Sequence, residues 1–477
     1  MSHVMTNLYL IRYSEIGLKG PRARSIMERY LLDNIGSSLK NLGSARLFKS
    51  IGRFLLETDI PEEIITEKLK RIFGVRSFSP VVKDDFNSPD EIASMCLSLF
   101  GDSLTGKKFA IRCRRTGTHN FSSRDVERIV GSALYPYSSG VDLESPDIQI
   151  NLEIREKSVF IYTVTHDGPG GLPLKSQAPM VSLMSGGIDS PVAAWYMMKR
   201  GSPVYPVFFS LAHPVDTLSF LRSSKKLFSE WSSGSVTKVF IIDGRPFLDL
   251  TISGKIRFPN VTFKMLLYRV AERIAKRYGM HGIITGESMG QVSSQTAENL
   301  EALTASVRLP IYRPLIGFDK EEIVKIARNI GTFPEKDPGE FCSLFAARPI
   351  LSITEKELLS EPIDDSFLDH LIDNATVITT DGIDSYMKNI SSIDLSYNAD
   401  LKNAIFVDMR ARSDYEKGHF PGAVNVQLNR LPEFVQSLSR GDVVVFYCKK
   451  GLQSAYAASL LNEKGYSAFY SDEKIIK

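Results

Sequence analysis

The chain has 477 residues, of which 43% are apolar, and 58 Lys plus Arg against 55 Asp plus Glu give a formal net charge of +3. That length suggests roughly three domains of ~150 residues, and the apolar content excludes a disordered chain. The near-balanced charge means that any polyanion site must come from local clustering. Four scattered cysteines, Cys96, Cys113, Cys342 and Cys448, with no C-x-x-C pair, exclude a secreted disulfide scaffold and a zinc ribbon.

From the N-terminus, 7–13 (NLYLIRY) reads as a strand, about 21–42 as a helix, about 45–58 as strands and about 61–72 as a helix opened by Pro61. With so few cysteines a reducing, cytoplasmic setting is expected; the start, Met1 to Gly20, lacks an apolar h-region, and no run is long enough to span a membrane. This α+β block, 1–75, is followed by a second, 76–167. The second has a helix over 89–100 behind the start signal Ser88-Pro89 and strands at about 107–113 and 158–165. The run Asp167-Gly168-Pro169-Gly170-Gly171-Leu172-Pro173 suits neither a helix interior nor a central strand and marks a boundary. From 180 the chain alternates strands (about 180–184, 203–210, 237–242, 282–285, 311–315) with helices (190–200, 216–231, 260–279, 319–330). This predicts a doubly wound parallel sheet over 174–348. Weaker patterning over 349–398 predicts a linker with short helices. A last α/β block, 399–477, has strands at about 404–408 and 443–447 and a helix at about 453–464.

Three constellations carry chemistry. In Val181-Ser182-Leu183-Met184-Ser185-Gly186-Gly187-Ile188-Asp189-Ser190-Pro191 a glycine pair joins a buried strand to a helix. Gly186 and Gly187 let the backbone approach a phosphate, the helix N-terminus holds the anion, and Ser185 and Ser190 add hydroxyls. Asp189 suits the phosphates' Mg2+, and no Lys-Ser/Thr follows the glycines as a Walker A loop requires. A second glycine-ended strand, Ile283-Ile284-Thr285-Gly286-Glu287, leads into the polar loop Gly290–Thr296, and both loops fall beyond strand carboxyl ends, where open α/β sheets bind ligands.

The second constellation is basic: 107–128 (KKFAIRCRRTGTHNFSSRDVER) carries seven Lys/Arg, among them Lys107, Lys108, Arg112, Arg114, Arg115 and Arg124, against Asp125 and Glu127. Such a patch neutralises phosphates without reading sequence, although a charge run alone is more often a solvated face. Arg12, Lys19, Arg22 and Arg24 are candidates to extend it. In the third, the buried strand Val443-Val444-Val445-Phe446-Tyr447 delivers Cys448 to a loop, Cys448–Ser454, that opens a helix. A cysteine at a strand end beside a helix N-terminus is expected to have a lowered pKa. Cys96 and Cys113 read as packing residues.

The Ser-Gly-Gly-x-Asp-Ser turn resembles the PP-loop of ATP pyrophosphatases. With 168–173 (GPGGLP), 285–296 (TGESMGQVSSQT) and 313–331 (RPLIGFDKEEIVKIARNIG), the chain resembles the tRNA 4-thiouridine synthase family, the tRNA uracil 4-sulfurtransferases, also linked to thiamine thiazole synthesis. The resemblance implies a multidomain α/β chain: ferredoxin-like 1–75, THUMP 76–167, a PP-loop adenylation domain 174–348, and a rhodanese-like domain 399–477. It implies that Leu183, Met184, Phe208, Phe209, Lys264, Gly286 and Gln295 line an ATP pocket with Ser185, Gly186, Gly187, Asp189 and Ser190. At 264 the family usually has arginine, and lysine keeps the charge without the bidentate fork.

The motif Arg112-x-Arg114-Arg115-x-Gly117-x-His119-x-Phe121-x-Ser123 is similar to THUMP, a tRNA-binding module. Phe406–Arg410 and Gly418–Ala423 resemble rhodanese, with Asp408, Arg410 and His419 as scaffolding and Cys448 as the persulfide carrier. Gln453 stands where many rhodaneses have arginine, so persulfide relay is implied more than thiosulfate chemistry. Cys342 is implied as the partner thiol that closes a disulfide with Cys448.

The expected activity is adenylation of uridine O4 (position 8 of tRNA in this family) with ATP and Mg2+, then sulfur transfer from Cys448. The expected partners are tRNA, a cysteine desulfurase, a disulfide reductant and, for the thiazole branch, a ubiquitin-like sulfur-carrier protein. No membrane is expected, and a homodimer is compatible with the family. Two rivals stay open: another PP-loop tRNA-modifying ligase, and a sulfur-carrier or RNA-binding protein without ATP chemistry.

Overall fold

The computed structural model describes residues 7–13, 15–50, 52–334, 350–391, 395–397 and 403–476. They form two compact units, Met1–Ser176 and Gln177–Lys477.

The first unit holds two sheets. In the first, His166–Asp167, Val75–Pro80, Asn7–Tyr13, Arg53–Thr58 and Ala45–Ser50 lie in that order, every pair antiparallel. Strand Arg53–Thr58 alternates half-buried and buried residues, as a strand with one face on a core does. Helices Pro21–Leu39 and Glu62–Leu69 cover that face, with Leu31, Ile35, Ile65 and Leu69 against Tyr9, Ile11, Phe54 and Phe78.

The second sheet has the order Val82–Asp85, Ser158–Tyr162, Ile148–Arg155, Lys108–Thr116, Gly140–Val141. It is covered by helices Pro89–Phe100 and Ser123–Leu134. Ser88 caps the first of these through the Glu91 N–H, and a Ser122/Asp125 capping box starts the second.

Strand Val75–Pro80 belongs to the first sheet, and so does His166–Asp167. The N-terminal block therefore runs to about Pro80 and takes back a strand from the end of the second, where sequence patterning placed the divide at 75/76. Periodicity marks strands but not which sheet each one joins. Between the two sheets, Glu153 is buried among Arg12 (3.6 Å), Arg155 (2.9 Å) and Arg53. Arg12 also donates to Ser79 Oγ at 3.0 Å, so this residue serves the seam and does not extend the basic surface.

The second unit carries a six-stranded sheet of order Ile311–Tyr312, Ile283–Ile284, Met180–Leu183, Val204–Ser210, Lys238–Asp243, Thr376–Thr379. The first five strands are parallel, and Thr376–Thr379 pairs antiparallel with Lys238–Asp243. Strand Val204–Ser210 is buried at every position but Tyr205, as a central parallel strand covered on both faces must be.

The stretch expected as a linker thus contributes an edge strand and three helices, Glu355–Leu359, Asp365–Asp373 and Ile383–Ser391. Arg269, Arg273 and Arg277 of helix Pro259–Arg277 pair with Asp365, Asp369 and Asp373, which fixes helix Asp365–Asp373 on that helix.

A second, four-stranded parallel sheet has the order Val424–Asn425, Ile405–Asp408, Val443–Cys448, Ser467–Asp472. Helix Leu452–Glu463 packs on it. One continuous apolar cluster runs from Val207, Phe247 and Leu248 to Phe446, Ala455 and Tyr456, so the two sheets of this unit share a core.

Candidate functional site

The strand Met180–Leu183 ends at the turn Ser185–Ile188, and helix Asp189–Lys199 begins there with Pro191 in its first turns. The turn is tied internally. Ser185 N–H donates to Ser190 Oγ at 2.9 Å, the two hydroxyls lie 3.2 Å apart, and Gly187 N–H donates to Ser185 Oγ at 3.2 Å.

Two glycines here are steric necessities. A Cβ on Gly186 would lie 2.5 Å from Ser219 Oγ on helix Val215–Trp231. A Cβ on Gly286 would lie 2.7 Å from Ser190 N and 2.9 Å from Asp189 C. The loop after Ile283–Ile284 thus presses its backbone on the first turn of helix Asp189–Lys199. Gly286→Ala is expected to displace that turn and lower ATP–pyrophosphate exchange on the order of 10²-fold, with thermal unfolding still cooperative.

Asp189, half-buried, is held from two sides: Lys320 Nζ at 2.7 Å on Oδ1 and Gln291 Nε2 at 3.1 Å on Oδ2. Lys320 was not singled out from the sequence, yet a signal was there. It occupies the first turn of helix Lys320–Asn329, where a cation opposes the helix dipole. Asp189 offers it a counter-charge beyond those of Glu321 and Glu322 in the same turn.

Lys264 is buried and donates to Glu287 Oε1 at 3.2 Å. Glu287 also receives Tyr268 OH (2.5 Å), Thr285 Oγ1 (3.0 Å) and Arg313 Nε (2.9 Å). Burial pushes the Glu287 carboxyl up. The Lys264 ammonium, the Tyr268 hydroxyl and the Arg313 guanidinium outweigh it and hold the carboxyl below the usual range. The cluster carries one negative and two positive charges at the carboxyl end of Ile283–Ile284. Its residues Glu287, Tyr268 and Arg313 escaped sequence reasoning.

The remaining expected lining residues divide. Leu183 is half-exposed and Met184 buried, with Met184 N–H on Val207 O at 3.0 Å. Phe208 stacks on Phe220 at 4.4 Å between ring centroids, and Phe209 sits edge-on to Phe263 at 6.0 Å. Both side chains are core, so what they offer a ligand is backbone at the end of Val204–Ser210. Gln295 is half-buried, and its Oε1 accepts Ser288 N–H at 3.4 Å.

Cys448 ends strand Val443–Cys448 and is buried, with Sγ 3.5 Å from Ser454 Oγ. Gly451, at φ +80°, makes the left-handed turn into helix Leu452–Glu463, whose first turn reaches the cysteine through Ser454. Cys448 opens on a cavity of about 700 Å³ walled by Lys449, Lys450 and Gln453 on one side and by Leu248, Thr251 and Ile252 of helix Arg245–Ile252 on the other. That helix follows the carboxyl end of Lys238–Asp243. In the six-stranded sheet that strand lies two places from Met180–Leu183, which leads into the turn Ser185–Ile188.

Asp408 and Arg410 pair through several hydrogen bonds, and Arg410 reaches Gly418 O at 2.6 Å. His419 Nδ1 lies 3.0 Å from Tyr415 O. All three brace the loops around the cavity. Burial pushes the Cys96 and Cys113 thiols up to about 12 and about 11, so both are inert near neutrality. Cys342, with the run Pro338–Phe345, lies outside the described residues.

In the first unit, strand Lys108–Thr116 points Lys108, Arg112 and Arg114 outward on one face. Lys107 and Arg124 are also exposed. Arg115 turns the other way and shapes the following loop through Gly117 O (2.9 Å) and His119 Nδ1 (3.0 Å). Lys108 is shared with Asp142 at 3.7 Å, and Arg112 donates to Leu143 O.

Four family descriptions match the chain: the ThiI ferredoxin-like domain over 8–79, the THUMP domain over 86–164, Thiamine biosynthesis protein (ThiI) over 175–362 and the Rhodanese-like domain over 394–473. A tRNA sulfurtransferase of Thermoplasma volcanium is 47% identical over 470 residues, covering 97% of this chain and 95% of that protein. One of Thermoplasma acidophilum is 43% identical, covering 98% and 95%. A crystal structure of a 4-thiouridine synthetase–RNA complex with bound ATP superposes with a TM-score of 0.67 at 29% identity, covering 79% of this chain and 100% of that one.

Proposed function

This chain belongs to the ThiI family of tRNA sulfurtransferases, and from that premise we propose that it converts a uridine of tRNA, position 8, to 4-thiouridine, with ATP as activator and a Cys448 persulfide as sulfur source. One observation carries the reading: the turn Ser185–Ser190 and the Cys448 cavity lie in one compact unit, and one wall of the cavity is the helix that leaves the carboxyl end of Lys238–Asp243, two strands from the strand that ends in the turn.

The work divides among this chain's residues. Lys108, Arg112 and Arg114, with Lys107 and Arg124 beside them, hold RNA phosphates. Arg114→Ala is expected to weaken tRNA binding a few-fold and to reduce the slope of log K against log salt by about one, in filter-binding titrations. The backbone N–H groups of Gly186 and Gly187 and the helix N-terminus hold the ATP phosphates. Leu183, Met184, Gly286, Gln295 and the backbone of Phe208 and Phe209 border the nucleotide. Lys264, anchored on Glu287, adds positive charge behind it.

Asp189 is the residue that would hold Mg2+ together with the phosphates. A single carboxylate suits that ion, which usually keeps phosphate oxygens and waters as its other ligands, and Asp189 would exchange its contact with Lys320 or Gln291 for it. Among the described residues no group of three or more His, Cys, Asp or Glu is placed to hold a metal alone. Mg2+ would neutralise charge on the departing pyrophosphate.

Uracil O4 attacks the α-phosphorus, pyrophosphate leaves and N3 gives up its proton. The terminal sulfur of the Cys448 persulfide then attacks C4 and AMP leaves. The thiol of Cys342 attacks Cys448 Sγ, the bond to the transferred sulfur breaks with its electron pair going to that sulfur, and a Cys342–Cys448 disulfide remains. A cysteine desulfurase reloads Cys448 after a dithiol reductant supplies two electrons, which calls for a reducing, cytoplasmic setting. No helix of the described residues is long and apolar enough to cross a membrane. Transfer of the same sulfur to a carrier protein for thiazole synthesis needs only Cys448 and its cavity.

The test is reconstitution. Purified chain, unmodified tRNA, Mg-ATP, cysteine and a desulfurase should give a nucleoside heavier by the exchange of oxygen for sulfur. A gain of an amine-containing group, or no ATP–pyrophosphate exchange in the presence of tRNA, would refute the reading.

A further inference from the structure

Two helices of the second unit meet beside the Cys448 cavity. Helix Arg245–Ile252 follows the carboxyl end of Lys238–Asp243 in the adenylation sheet, and helix Leu452–Glu463 grows out of the Cys448 loop. At one end, Arg245 pairs with Glu463 while also gripping Asp243 at 2.6 Å. In the middle, Tyr456 OH donates to Asp249 Oδ1 at 3.2 Å. At the other end, Leu248, Thr251 and Ile252 face Leu452, Gln453 and Cys448 across the cavity. The contacts run in opposite directions along the two helices, which are therefore antiparallel, with the thiol at the open end.

We infer that helix Arg245–Ile252 is a docking rail, and that Arg245, Asp249, Tyr456 and Glu463 are positioning residues that register the persulfide-bearing cysteine on the adenylation sheet for sulfur handover. The inference rests on the proposed function above. Its physical ground is the type of contact. Tyr456 is buried, and its hydroxyl finds its acceptor on the other helix. Arg245 is held to Asp243 through Nε and Nη2, so its remaining Nη1 points at Glu463 in a fixed direction. The pair is partly exposed, and such pairs add little stability, so their worth lies in orientation. Neither contact touches the phosphate turn. Their removal should leave adenylation alone and misplace only the sulfur donor, and an error of ~1 Å at a reacting atom is costly.

The experiment uses the full chain carrying Tyr456→Phe together with Glu463→Gln, with sodium sulfide as a second sulfur source that does not pass through Cys448. Three rates are compared with the native chain: thiolation fed by cysteine and desulfurase, thiolation fed by sulfide, and ATP–pyrophosphate exchange. Persulfide loading of Cys448 is read by mass.

The expected result is a fall of about tenfold or more in cysteine-fed thiolation, with loading, exchange and sulfide-fed thiolation within about twofold of native. Cysteine-fed thiolation at the native rate overturns the inference alone. A parallel fall in both thiolation rates also overturns it, since the contacts would then support the fold and not the handover. A native chain that thiolates from neither source overturns the function and the inference together.

Discussion

Cys448→Ser is expected to lower cysteine-fed thiolation by roughly 10³-fold or more while leaving tRNA-dependent ATP–pyrophosphate exchange within about twofold. Serine keeps the size and the hydrogen-bonding reach toward Ser454 Oγ, so the strand end and the left-handed turn at Gly451 should survive. What is lost is the sulfur atom that the proposed persulfide needs. Asp189→Ala should give the opposite pattern, with persulfide loading intact and exchange lost, because it releases Lys320 and Gln291 and removes the carboxylate nearest the phosphate turn. Measuring loading and exchange on both variants separates the two half-reactions. If the serine variant still thiolated from cysteine, Cys448 would not be the carrier.

Glu287→Ala is expected to destabilise the second unit by about 3–5 kcal/mol, read from denaturant unfolding. The variant leaves buried Lys264 and half-buried Arg313 without the counter-charge they share, and strips Tyr268 and Thr285 of their acceptor. Glu287→Gln should cost less, since the amide oxygen still accepts hydrogen bonds. The native carboxyl also makes a pH prediction. Its folded pKa lies below the unfolded value, so its contribution is complete above the ordinary glutamate pKa of 4.5. It fades as pH falls through the depressed folded value. The acid limb of the stability profile below about pH 4.5 should therefore be shallower in Glu287→Gln than in the native chain. An unchanged limb would mean that Glu287 is not the titrating group.

Features written in a few consecutive residues were legible before any coordinates. The turn Ser185–Ser190, the helix start at Ser88-Pro89, the break at 167–173 and the delivery of Cys448 by an apolar strand each lie within a short window. There local backbone preference and burial act on the same residues. The alternation from 180 to 330 gave the parallel sheet for the same reason.

Other features depend on which distant segments meet. Lys320 and Asp189 are 131 positions apart, and Lys264, Tyr268, Glu287 and Arg313 come from three elements. No period in the chain announces that a lysine will be spent on one carboxylate instead of facing solvent. The same holds for Thr376–Thr379, a short exposed run with weak alternation that becomes a strand because Lys238–Asp243 offers it an open edge. Arg12 shows the converse: it looked like part of a basic surface, and the fold turns it onto the buried Glu153.

The order of residues along the chain determined three local features: a glycine turn between strand and helix, a thiol at a strand end, and a cluster of cations on one strand. Those properties reside in side chains and in the backbone within reach of them. Tertiary packing alone decided that the sheet bearing the turn and the sheet bearing the thiol share one core, that Glu287 gathers two cations, and that helix Arg245–Ile252 meets the helix beyond Cys448. Such pairings are chosen by shape, burial and charge balance over the whole unit, quantities that no short stretch of chain contains.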